Sequence, residues 1–179
     1  MENQKAQIWV ETVIYTLIGL VMIGIVLAVA TPAIEKYKDE ILLEQTISAL
    51  NELNSKILEI RGAVGNVRII EFRIKKGKLV LDNENDKIVY MLEESNLEYS
   101  EPDVKVEQGD IEILTAKKGK KYEINLSLAY SEKDLDLRYN EKNTEKIFSQ
   151  ASIPYKLYIE NLGEPAEGGK TQININLVS

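Results

Sequence analysis

From Thr12 through Ile34 the chain runs 23 residues without a charge, TVIYTLIGLVMIGIVLAVATPAI. A bilayer is crossed by a helix of ~20 apolar residues, so this stretch has the length and character of a membrane span. Glu11 stands at its mouth. An ionised side chain at the centre of a membrane helix costs about 2.5–3.5 kcal/mol on insertion scales, so a carboxylate at this position calls for a partner.

The helical pattern continues beyond the span but changes character. Leu43, Ile47, Leu50, Leu53, Ile57 and Ile60 recur at spacings of three and four, with charged and polar residues between them. Such spacing predicts an amphipathic helix with one buried stripe. Thr31-Pro32 separates the two halves, where a kink is favoured over a break. Arg61-Gly62 offers a cation and a permissive residue at the C-terminal end. The reading is a polar leader over 1–6 and a long helix over 7–61, transmembrane about 12–31 and amphipathic about 33–61. At 1.5 Å per residue a continuous helix of that length spans about 80 Å, more than a small domain needs, which points to a stalk or an assembly.

From Asn66 the apolar period drops to two, predicting strands. Ile70, Phe72 and Ile74 alternate with charges, and KLVLD and KIVYML follow as a three-strand meander. IEILTA and YEINLSLAY flank KKGKK as a hairpin. YKLYIENL and KTQININLV flank a glycine-bearing loop as another. Residues 131–154 read as irregular, with a short strand at Leu135–Tyr139. The expected fold class is α+β: a long N-terminal helix followed by an antiparallel β-sheet head over 66–179, in the manner of a small sandwich.

Composition excludes much chemistry. The chain has no cysteine and no histidine, which removes disulfides, thiol nucleophiles, Cys/His zinc sites and histidine-based acid–base systems. Its 29 acids mostly alternate with apolar residues, as on a solvated face, so an enzyme is not expected, nor a cofactor. A net charge of −7 without a basic run argues against nucleic-acid binding. The lysines at 75, 76 and 78 and at 117, 118, 120 and 121 each surround a glycine and read as hairpin tips. Asp82, Asp86 and Glu93 have the spacing of a calcium loop, but Lys87 stands where its sharp turn needs glycine, so a hairpin tip is expected there too.

The junction before the apolar run reads Lys5-Ala6-Gln7-Ile8-Trp9-Val10-Glu11. A lysine, a small residue, a glutamine, and a glutamate fifth from that glutamine resemble the class III signal peptide of archaeal type IV pilins. Trp9 and Tyr15 stand where the commonest archaeal pattern has serine and leucine. The resemblance implies that a prepilin peptidase cuts between Ala6 and Gln7 and that Glu11 becomes the fifth residue of the mature chain. It further implies partners: the membrane, further copies or other pilins in a filament, an assembly ATPase and a platform protein. The protein is then expected in the cell membrane as a precursor and afterwards in an extracellular filament, with adhesion as one use. Cleavage creates an α-amino group with a pKa near ~7.7–8.0, a cation that Glu11 of a neighbouring subunit can meet.

Two other readings remain open on the residues. Glu11 can mark an uncleaved anchor, with Trp9 at headgroup level. Ala28-Val29-Ala30 can be a secretory cleavage site that releases a soluble head at Thr31. Either would make the protein a non-polymerising binding module. Gly24 and Ala28 form a small-xxx-small pair suited to close helix approach. Asn125-Leu126-Ser127 is an N-glycosylation sequon, placing Asn125 as a candidate acceptor on the outward face of its strand.

Overall fold

The structure is a computed structural model that describes the backbone of residues 2–178 and the side chains of residues 8–178. One helix, α1 (Glu2–Ile60), precedes ten strands among the described residues. These are β1 (Val67–Phe72), β2 (Lys78–Asp82), β3 (Lys87–Ser95), β4 (Lys105–Gln108) and β5 (Ile111–Lys118). β6 (Lys121–Ala129), β7 (Leu135–Tyr139), β8 (Lys146–Ser149), β9 (Tyr155–Gly163) and β10 (Thr171–Leu177) follow. The architecture is α+β, with a long apolar helix at the N-terminus and largely antiparallel sheets after it. Two compact units divide the chain, residues up to Lys38 and residues from Asp39 onward.

Helix α1 begins earlier than expected, within the leader, where Glu-Asn-Gln-Lys-Ala contains no helix breaker. It continues through Pro32 without interruption. In the second unit its stripe is buried as the spacing predicts: Leu43, Leu50, Leu53, Ile57 and Ile60 are fully inaccessible and Ile47 nearly so. These side chains share one hydrophobic core with residues of both sheets. At ~1.5–3 kcal/mol per fully buried aliphatic side chain, the stripe contributes on the order of 10 kcal/mol, comparable with the net stability of a whole domain.

A four-stranded sheet has the order β1-β9-β10-β7, and a six-stranded sheet the order β4-β5-β6-β3-β2-β8. The β5–β6 and β9–β10 hairpins form as read from the sequence, and β7 occupies the expected Leu135–Tyr139. The meander does not form. β2 pairs with β3, but β1 pairs with β9 in the other sheet, so residues 73–77 are a crossover and not a hairpin tip. Gly77 makes that crossover possible. Its φ is +80°, and a Cβ there would run into the Met91 carbonyl oxygen. The second lysine group does cap a hairpin, with Lys118 opposite Lys121 around Gly119. β7 runs parallel to β10, the exception in sheets otherwise antiparallel. β4 and β8 carry no legible signal, since β4 (KVEQ) is exposed throughout and β8 (KIFS) buries only Phe148.

The helix ends at Ile60, one residue before the expected cation. Its last carbonyls are met from far along the chain: Asn161 Nδ2 donates to the Ile60 carbonyl at 2.9 Å and to the Arg61 carbonyl at 3.1 Å. Asn161 Oδ1 accepts the Gly163 N–H at 2.7 Å, and its backbone exchanges bonds with Gly65 and Asn66. A buried asparagine of β9 thereby does what a terminal glycine does in many helices.

Candidate membrane and assembly site on the N-terminal helix

The first unit presents an apolar surface, exposed among the described residues. The most apolar 18-residue window of the helix is 0% buried, and the helix is long and apolar enough to cross a membrane. The hydroxyls of this unit's three threonines are satisfied within the helix. Thr12 Oγ1 donates to the Ile8 carbonyl at 2.9 Å, Thr16 to Thr12 at 2.8 Å, and Thr31 to Leu27 at 2.7 Å. A hydroxyl bonded one turn back exposes no free donor to hydrocarbon, so these threonines are compatible with lipid or with neighbouring helices.

Glu11 is exposed at the start of this run, two residues from Trp9, which is 74% exposed. Lys5, Ala6 and Gln7 have helical backbone, but their side chains lie outside the described residues. The proposed cleavage point therefore has no side-chain geometry here. Farther along α1, Ile34 and Tyr37 are exposed, and so is Ile41 in the second unit. Within the first unit, Ile34 and Tyr37 are three residues apart and share one side of the helix. Within the second unit, Asp39 and Leu43 lie one turn apart and are buried, whereas Ile41 between them is exposed.

Asn125 lies in β6, between β5 and β3, and not at an edge. Its side chain points away from the core, as the alternation predicts, but it is half-buried. Asn125 Nδ2 donates to Glu123 Oε1 at 3.2 Å, and Oδ1 has no hydrogen-bond partner among the described residues.

The calcium-like spacing resolves into three separate partnerships around a β2–β3 hairpin. Asp82 accepts from the Asn85 backbone and side chain. Asp86 is bound by Lys170 Nζ at 2.7 Å and by the Leu137 N–H at 3.0 Å, and Glu93 pairs with Lys78 at 2.7 Å.

One buried acid was missed in the sequence. Asp39 is only 4% exposed; its Oδ1 accepts from Lys76 Nζ at 2.6 Å and its Oδ2 from Ser95 Oγ at 2.7 Å. The Tyr90 hydroxyl bonds the Lys76 carbonyl, and burial pushes its pKa up to about 12. The signal was present in the sequence, because Asp39 lies four residues before Leu43 and extends the buried stripe backward.

No family model, curated protein or solved structure matches the chain.

Proposed function

We propose that this protein is a structural subunit of an archaeal type IV pilus-like surface filament, held first in the membrane and then in the fibre by α1. The observation that carries the reading is an apolar helix face, unburied from Ile8 onward, on the same helix whose far half is built into the β-sheet core. In the first unit the exposed Ile34 and Tyr37 extend apolar surface past the expected span, where a plain anchor would need only polar residues. A second copy of the chain is the partner such a face suits.

In this reading a prepilin peptidase cuts before Gln7, and Glu11 of one subunit neutralises the new amine of another. In a low-dielectric bundle that pair is strong and an unpaired member is costly. The ATPase and platform protein of the resemblance would drive assembly. A glycan at Asn125 would have to be attached before β6 takes its interior place, because the folded amide is half-buried between two strands.

The test has two parts. The N-terminal residue of the protein recovered from cells should be Gln7; Thr31 would indicate secretion and Met1 an uncleaved anchor. Glu11→Val should be processed and membrane-resident yet absent from filaments, since leaving the buried amine unpaired costs about 3–5 kcal/mol per addition. Normal filaments of Glu11→Val subunits under the electron microscope would refute the pairing mechanism.

A further inference from the structure

The second unit holds a cleft of about 480 Å³ lined by Arg73, Lys75, Gln150, Ala151 and Ser152. Its two walls are tied by one backbone bond, from the Ala151 N–H to the Ile74 carbonyl at 3.1 Å. Ile74 is buried, so the side chains on either side of it, Arg73 and Lys75, turn outward together. On the other wall Gln150 and Ser152, both exposed, flank the half-buried Ala151. Two cations thus stand across from a neutral amide and a hydroxyl.

The charge of this cleft runs against the composition. Acids outnumber bases 29 to 22 in the chain, yet no carboxylate lines it. Adjacent lysines are neutralised, Lys76 by Asp39 and Lys78 by Glu93. Arg73 forms no ion pair among the described residues, and Lys75 Nζ meets only the neutral Gln45 Oε1, at 2.9 Å. The volume falls in the range of small-ligand clefts, about 300–1,000 Å³, which is more room than a bare inorganic ion fills. The lining has no aromatic or branched aliphatic side chain, so an apolar ligand would gain little there.

We propose that this cleft binds an acidic saccharide. A uronate carboxylate takes the planar fork of Arg73 together with the ammonium of Lys75, and ring hydroxyls exchange hydrogen bonds with Gln150 and Ser152. The site goes beyond the filament reading and does not depend on it.

Titration calorimetry of the full chain in detergent micelles tests this with three probes: trigalacturonate, a neutral galactose trimer and inorganic phosphate. Trigalacturonate should bind saturably and more weakly as salt rises, while the neutral trimer should not bind. Arg73→Gln and Lys75→Gln should each weaken it about tenfold, the scale of one charge-assisted hydrogen bond. Both positions are exposed, so thermal unfolding should be unchanged in the two variants. Lys118→Gln, at a hairpin tip, should leave binding intact. The proposal is overturned by an absence of saturable binding, by equal binding of the neutral trimer or of phosphate, by full affinity in the Arg73 and Lys75 variants, or by an equal loss in Lys118→Gln.

Discussion

Asp39 shows how one side chain joins a helix to a sheet. Its carboxylate is buried, and its two oxygens are divided between Lys76 and Ser95, whose Oγ also accepts the Leu97 N–H at 3.0 Å. The ammonium of Lys76 is itself partly in water, with 42% of its side chain exposed, so the pair is only half desolvated. Lys76→Met removes the cation and leaves the acid buried with one hydroxyl, a loss of about 2–3 kcal/mol. Asp39→Asn keeps the shape and the Ser95 bond and should cost less. Chemical denaturation of the two variants checks the order; equal losses would mean that the charge contributes nothing. Asn161→Ala, at the other end of the buried helix segment, strips the cap from two carbonyls and should cost about 1–3 kcal/mol.

At the scale of elements, α1 performs two tasks with one backbone. Before Asp39 its large apolar residues are exposed, and after it those of the stripe from Leu43 to Ile60 are buried in the sheet core while Ile41 is exposed. A chain beginning at Thr31 keeps the whole stripe and should be soluble and unfold cooperatively. A chain beginning at Asn66 loses on the order of 10 kcal/mol of burial and uncovers the apolar faces that the helix covers, so it should aggregate. Size-exclusion chromatography of both distinguishes the outcomes, and identical behaviour would show the stripe to be dispensable for the fold. The stripe, the hairpins and β7 were legible because each repeats an apolar period on its own residues. β4 was not, because an exposed edge strand needs no apolar residue to sit where it does. The pairing of β1 with β9 was equally hidden. Alternation marks which residues turn inward and is silent about which strand lies alongside.

For the molecule as a whole, the absence of histidine leaves no side chain with an ordinary pKa between about 5 and 8, so stability should be flat across neutral pH. The alkaline limb is different. Burial raises the Tyr90 hydroxyl to about 12 and drives Tyr130 upward as well, with the Asp110 carboxylate adding to the second shift. An unfolded tyrosine loses its proton near ~10, while the folded one still holds it. The unfolded state therefore binds fewer protons above that pH, and stability present below ~10 is lost as pH rises through the folded value. Melting temperature should hold from about pH 6 to 9 and fall above 10, less steeply in Tyr90→Phe. An unchanged alkaline slope in that variant would assign the fall to other groups. On the acid side, Glu59 is held down to about 2 by hydrogen bonds from Arg68 and Lys56, but it is exposed and its contribution is small.

By itself the sequence determined the long helix, the face of it that is buried, the apolar run with Glu11 at its mouth, and the hairpins closed by local turns. All of these follow from residues near one another in the chain, where period and turn chemistry act. Only the tertiary structure decided that β1 leaves its sequence neighbours for β9, that β7 runs parallel to β10, that Asn161 closes a helix ending a hundred residues earlier, and that Arg73 and Lys75 face Gln150 and Ser152. Those arrangements depend on which buried surfaces and unpaired backbone groups meet once the core closes. That selection is made by the sum of all the contacts, and no short stretch of sequence contains it.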